Sequence, residues 1–138
     1  MRLSKIVNLA EQIATEAHLG QFRRGGTVPY IEHPRAVASR VGDDPDAQIV
    51  AWLHDVLEDC DDISKSDLLE KGIPEMHVEA VELLTKREGV SYEDYLEGVA
   101  TSELATKVKI SDMICNLSDS PTPRQIRKYA KGLERLTR

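Results

Sequence analysis

The run HDVLED, His54 to Asp59, concentrates the side chains of this sequence that could do chemistry. His54 and Glu58 are four residues apart, and so are Asp55 and Asp59. In one helix this spacing places all four on the side that the apolar residues leave free. Three acids and a histidine gathered beside apolar residues repel and desolvate one another unless a cation or water compensates. The run therefore indicates either a cation site or a solvated polar face, and this helix alone does not decide between them.

A second group of polar residues has the same kind of spacing. Lys109, Asp112 and Asn116 follow one another at three and four residues and share one side of a predicted helix. His33 stands before Pro34, at the predicted start of another helix. Taken singly, Asp112 is more typical of a surface position, and His33 of a packed or helix-terminal imidazole.

The four strongest candidates form a recognisable donor set when they are taken together: His33, His54, Asp55 and Asp112. Two imidazoles and two carboxylates supply nitrogen and oxygen but no sulfur. This composition suits manganese, iron or zinc and leaves positions for water, whereas calcium prefers oxygen ligands alone.

The elements that must position these residues are predicted to be helices. Apolar residues recur every three to four positions from Leu3, which predicts a first helix that ends near Gly20. Glycines and Pro29 predict a loop after it. Further helices are predicted over 34–41, 45–59, 74–85 and 103–117, and from Ser91 and Pro123. Strand patterns are missing from the sequence, so we expect an all-α fold and one domain over residues 1–138.

Composition restricts the possible partners and location. There are 18 Lys and Arg against 24 Asp and Glu, a net charge of −6 that repels nucleic acid. The longest apolar run has five residues, Ile49 to Leu53, against about 20 for a membrane span. Two cysteines, Cys60 and Cys115, suit a reducing compartment, so we expect a cytoplasmic protein without a membrane anchor.

Three segments together resemble a known family. They are AHLGQFRRGGTVPYIEHP (residues 17–34), HDVLED (54–59) and KISDMICNL (109–117). In order and local context they resemble the HD-domain phosphohydrolases. The closest resemblance within them is to the hydrolase domain of RelA/SpoT-type guanosine tetraphosphate (ppGpp) enzymes and their small stand-alone relatives. The resemblance covers residues 3–118 and implies a single HD-type helical bundle.

The resemblance also implies roles for individual residues. The family's metal ligands, which typically hold manganese(II), match His33, His54, Asp55 and Asp112. The acidic pair that orients water and manages protons matches Glu58 and Asp59. The basic pair that contacts the nucleotide base or its phosphates matches Arg23 and Arg24, and the positions lining the substrate cavity match Lys109 and Asn116. His18 is expected to be a structural residue or to support a ligand and not to bind the metal itself, and His77 is expected to lie at the surface.

These roles imply a metal-dependent phosphohydrolase whose partner is a small nucleotide, with oligomerisation left open. The preferred reaction removes the 3′-pyrophosphate of ppGpp to leave GDP. The segments after Arg24 and after Leu117 depart from the family, and both help to build the nucleotide pocket. Two alternatives therefore stay open: an HD phosphatase for another nucleotide or phosphorylated cofactor, and a non-catalytic nucleotide-sensing module. The intact pair Glu58 and Asp59 argues against the sensing module.

Overall fold

The computed structural model describes residues 2–23 and 25–138. Regular structure in this part of the chain is helical, which confirms the predicted all-α class. The helices are α1 (Leu3–Ala17), α2 (Glu32–Arg40), α3 (Pro45–Leu53), α4 (Val56–Asp59), α5 (Lys65–Glu70), α6 (Glu75–Leu83), α7 (Tyr92–Val99), α8 (Glu103–Leu117) and α9 (Pro123–Leu136). None of these described helices is long and apolar enough to cross a bilayer.

Helix α3 forms the centre of the hydrophobic core. It packs against α1, α2, α6 and α8. Contact with four helices explains why most of its residues are apolar. The buried residues of α3 are Ala47, Ile49, Val50, Ala51, Trp52 and Leu53.

The start of α3 is fixed by a helix cap that also ties it to α8. The Asp44 side chain accepts a 3.1 Å hydrogen bond from the Ala47 backbone N–H, and Pro45 occupies the first helical turn. Lys107 of α8 donates a 2.8 Å hydrogen bond to the other carboxylate oxygen of Asp44. The predicted Asp-Pro helix start is therefore confirmed.

The predicted helix over 45–59 is wrong in one respect, since it is interrupted after Leu53. His54 and Asp55 form a turn between α3 and α4. The reason is a competing bond: Nδ1 of His54 lies 2.7 Å from the Ala51 carbonyl oxygen, which a continuous helix would pair with the Asp55 N–H. The interruption lies at the two residues of the HD dipeptide.

The prediction that His77 lies at the surface was also wrong. Its side chain in α6 is buried, and Nε2 lies 2.7 Å from Oδ1 of Asp46 at the start of α3. The acid that satisfies His77 is 31 residues away in sequence, so local patterning gives no sign of it. The short helix α5 was missed, although Ser64 and Asp67 form a capping box at its start.

Candidate metal centre and substrate cavity

Three segments of the fold bring the predicted metal ligands together. His33 lies in the first turn of α2, His54 and Asp55 form the turn after α3, and Asp112 lies within α8. Nε2 of His33 is 2.8 Å from Oδ1 of Asp112, and Nε2 of His54 is 3.5 Å from the same oxygen. Nε2 of His54 is also 3.1 Å from Oδ2 of Asp55.

The potential ligand atoms are close enough to share one ion. Among the described residues, His33, His54 and Asp55 form a group whose donor atoms all lie within 4.8 Å of one another. Asp112 completes the cluster through its contacts with both histidines. The two histidines and Asp112 are buried, which keeps bulk water from competing for them.

One buried nitrogen supports a metal at this position. Nδ1 of His54 lies 2.7 Å from the Ala51 carbonyl, which assigns the ring proton to Nδ1 and leaves a lone pair on Nε2. Nε2 is buried and forms no hydrogen bond with the described part of the chain. An unpaired, buried imidazole nitrogen beside two carboxylates is a metal-ligand environment, and the donor set fits manganese, iron or zinc.

The electrostatics of the cluster also favour a positive charge at the position of the proposed metal. Burial alone would raise the pKa of Asp55, but the neighbouring His54 ring lowers it to about 2. Burial would likewise lower the pKa of His54, but the carboxylates of Asp55 and Asp112 hold it well above its ordinary value. The two carboxylates therefore attract positive charge to Nε2 of His54, as a proton or as a metal ion.

A cavity lies beside this cluster, and its lining includes Lys109 and Asn116, which both also bind Asp112. Nζ of Lys109 lies 2.9 Å from Oδ2 of Asp112, and Asn116 donates a 3.1 Å hydrogen bond to Oδ1. Burial would raise the pKa of the Asp112 carboxyl, yet Lys109 and His54 hold it well below its usual range. The helical spacing of 109, 112 and 116 therefore builds a charged support around Asp112.

The predicted basic pair can be placed only in part. Arg23 lines the cavity and donates hydrogen bonds of 2.8 Å to Asp119 and 3.3 Å to Asn116. Its side chain is 14% exposed, so the guanidinium lies at the cavity wall and not in bulk solvent. Arg24 lies outside the described residues.

The two predicted catalytic acids differ in position. Glu58 lines the cavity, and its Oε1 accepts a 2.7 Å hydrogen bond from the Lys86 backbone N–H. Burial raises the pKa of Glu58, with Asp55 and Asp59 adding to the effect and the Lys86 N–H opposing it. Asp59 is not among the described residues that line the cavity, although burial and Asp55 raise its pKa as well.

The cavity has a volume of about 390 Å³, within the ordinary range for small-molecule sites. Several of its residues were not predicted from the sequence: Phe22, Tyr30, Leu84, Lys86, Tyr92, Tyr95, Gln125, Lys128 and Tyr129. The last three of these lie on α9, and the basic, amphipathic sequence of that helix is the feature that could have indicated them.

The α9 wall of the cavity is basic. Nζ of Lys128 lies 4.5 Å from the centre of the Tyr92 ring. Burial and the nearby cations Lys109 and Lys86 lower the pKa of Lys128, so this wall is short of negative charge.

Comparison with curated proteins finds a relative in Vibrio cholerae, a guanosine-3′,5′-bis(diphosphate) 3′-pyrophosphohydrolase. The two are 48% identical over 59 residues, which is 41% of this chain. The matched segment is 8% of the length of that relative. No family model matches the chain.

Comparison with solved structures finds the same overall fold in a protein described as a metazoan ortholog of SpoT that hydrolyses ppGpp and plays a role in starvation responses. The match covers 96% of this chain and 85% of the other, with a TM-score of 0.79 and 24% sequence identity. This likeness establishes the helical fold. The resemblance predicted from the sequence is thereby confirmed, in a segment of the sequence and in the fold.

Proposed function

We propose that this protein is a metal-dependent phosphohydrolase that removes the 3′-pyrophosphate from ppGpp and leaves GDP. The observation that supports the proposal is that one cavity contains both a cluster of potential metal ligands and a group of cationic side chains. His33, His54, Asp55 and Asp112 lie on its wall with Glu58, and the cationic side chains of Arg23, Lys86, Lys109 and Lys128 lie on the same wall. The similarity to a ppGpp pyrophosphohydrolase supports the choice of substrate.

The metal would be held by His33, His54, Asp55 and Asp112. We propose manganese(II), the metal that the family resemblance implies, and the nitrogen and oxygen donor set fits it. When bound, the ion supplies a positive charge that polarises a phosphoryl oxygen and makes water a better nucleophile. Lys109 keeps Asp112 ionised through their 2.9 Å contact, and the Ala51 carbonyl holds the His54 ring in the tautomer that presents Nε2.

Glu58 is the residue we propose for proton transfer. Its carboxyl lies at the cavity, is fixed by the Lys86 N–H and is not needed as a ligand. A carboxyl with a raised pKa holds its proton more readily and is suited to exchange it with a reacting group. Asp59 lies outside the cavity lining and is assigned a supporting electrostatic role.

The cations of the cavity fit a substrate that carries several phosphates. Arg23, Lys86 and Lys128 lie on the cavity wall, in a chain whose net charge of −6 would otherwise repel such a molecule. Arginine and lysine bind phosphate oxygens by charge-assisted hydrogen bonds. Aromatic residues on the same wall, Phe22 and Tyr129 among them, offer apolar surface for a purine base.

We place this activity in the cytoplasm, a location supported by the free thiols of Cys60 and Cys115. No oligomeric state is needed for the proposal, because the described part of one chain supplies every proposed ligand.

A nucleotide panel tests the proposal. Purified protein is incubated with manganese(II) and ppGpp, GTP, deoxynucleoside triphosphates or NADPH, and phosphate and pyrophosphate are measured separately. We expect pyrophosphate release from ppGpp, loss of that release in Asp55→Asn, and full release in the control Asp61→Asn, an exposed acid from the same acidic stretch. Turnover of another panel member alone would favour the other HD phosphatase reading. Tight binding without turnover would favour the sensing module.

A further inference from the structure

A tyrosine outside the proposed ligand set binds Asp55 directly. The Tyr30 hydroxyl donates a 2.5 Å hydrogen bond to Oδ2 of Asp55. This is the same oxygen that lies 3.1 Å from Nε2 of His54 and 3.9 Å from Nε2 of His33. A phenol is protonated at neutral pH and donates to a carboxylate. Tyr30 therefore contacts the oxygen that faces both imidazoles.

Tyr30 is itself held in place from two directions. Its backbone N–H donates a 2.8 Å hydrogen bond to the Gln21 carbonyl, which joins the two sides of the loop after α1. Its ring lies 4.9 Å, centre to centre, from the ring of the buried His18. Oε1 of Gln21 in turn lies 2.8 Å from Nδ1 of His18. The hydroxyl consequently has a defined position relative to Asp55.

We propose that Tyr30 is a positioning residue that orients the Asp55 carboxylate for the metal. This inference rests on the metal centre assigned under the proposed function. The hydroxyl occupies one lone pair of Oδ2 and restricts rotation of the carboxylate, so the remaining lone pair keeps its direction towards the histidines. Without Tyr30, Asp55 can rotate, and the ligand set loses its fixed geometry.

Metal binding in the absence of nucleotide tests this role. Manganese(II) affinity of the wild type and Tyr30→Phe is measured by the electron paramagnetic resonance signal of free manganese. We expect affinity to fall by about 10- to 100-fold, the usual effect of losing a group that orients a ligand. Thermal melts in chelator and near-ultraviolet circular dichroism establish that the variant is folded.

Thr106→Val is the matched control. Thr106 is not among the described residues of the cavity lining, and its partly buried hydroxyl donates a 3.1 Å hydrogen bond to the Val99 carbonyl. We expect the manganese affinity of Thr106→Val to equal that of the wild type. Equal affinities in Tyr30→Phe and Thr106→Val would overturn the proposal, because the Tyr30 hydroxyl would then have only a structural role.

Kinetics on the same samples separate this inference from the proposed function. We expect the kcat of Tyr30→Phe for ppGpp to fall at low manganese and to recover as manganese is raised, with KM for the nucleotide unchanged. A raised KM with normal manganese affinity would overturn the proposal, since Tyr30 would then contact substrate. Weakened manganese binding in Tyr30→Phe, in a wild type that hydrolyses no nucleotide, would support the role of Tyr30 and contradict the proposed reaction.

Discussion

The Lys86 backbone N–H lies 2.7 Å from Oε1 of Glu58 and donates a hydrogen bond to it. Lys86 follows α6 in sequence, and Glu58 belongs to α4, so the segment after α6 fixes the carboxyl at the cavity. The backbone donor leaves the second oxygen of Glu58 available. Burial nevertheless raises the pKa of Glu58, because one hydrogen bond does not offset the loss of water and the nearby charges of Asp55 and Asp59.

Replacing Glu58 with glutamine separates proton transfer from binding. The amide of Glu58→Gln would keep the acceptor for the Lys86 N–H but would not exchange a proton, so we expect kcat to fall by about 10²- to 10⁴-fold. Manganese affinity and the KM for ppGpp should stay near the wild-type values. Steady-state kinetics measure kcat and KM, and a manganese titration measures the affinity. The control is Glu88→Gln, at an exposed glutamate after α6. An unchanged kcat would transfer the proton role to Asp59.

The same substitution should stabilise the protein in a pH-dependent way. The pKa of Glu58 is raised in the folded state. At pH values between the pKa of the unfolded state and that of the folded state, the folded chain binds more protons than the unfolded chain. The free energy of unfolding therefore falls as pH rises through this range. Glutamine removes this loss. In chelator, Glu58→Gln should therefore have a higher Tm than the wild type at pH 7, and the difference should vanish below about pH 4, under the ordinary pKa of glutamate. A difference that is independent of pH would contradict this explanation.

The substitution Asp112→Ala should lower the thermal stability of the protein for two separate reasons. Asp112→Ala leaves the Lys109 ammonium buried without its partner, so we expect a lower Tm even in chelator. A further loss should appear in manganese, because a ligand at 100 times its Kd stabilises the wild type by about 2.7 kcal/mol and the variant would lack that gain. Thermal melts with and without manganese give the comparison. Equal losses in the two conditions would contradict ligation by Asp112.

The cationic wall formed by α9 can be tested with neighbouring lysines on one helix. Both Lys128 and Lys131 are exposed, but only Lys128 is among the described residues that line the cavity. Loss of a charge-assisted hydrogen bond costs about 1.5–3 kcal/mol, so Lys128→Ala should raise the KM for ppGpp by about tenfold or more. Lys131→Ala should leave it unchanged. Equal kinetics in the two variants would show that α9 encloses the cavity without binding the substrate.

Helices could be predicted from the sequence where one face is apolar and the capping residue lies next to the helix in sequence. The apolar spacing from Leu3 to Ala17 and the Asp-Pro start at residues 44–45 both predicted helices that the structure contains. The convergence of His33, His54 and Asp112 was expected from the resemblance, since no spacing within the chain relates residues on α2, on the turn after α3 and on α8.

The features that escaped prediction depend on contacts between distant residues. The interruption at His54 follows from a side-chain bond to the Ala51 carbonyl, which periodicity does not encode. The burial of His77 depends on Asp46, 31 residues away. Tyr30 lies within the segment 17–34, but its sequence context does not indicate a role, because its hydrogen bond to Asp55 requires the loop after α1 to fold back onto the turn after α3.

The identity of the ppGpp bond that is broken distinguishes the proposed reaction from other phosphohydrolase reactions. Wild-type protein is incubated with ppGpp and manganese(II), and the nucleotide products are separated by ion-exchange chromatography while pyrophosphate is assayed in parallel. We expect GDP and pyrophosphate in equal amounts, no conversion in chelator and none in Asp55→Asn. Release of single phosphates, loss of the 5′-diphosphate, or undiminished conversion in chelator would contradict the proposed reaction.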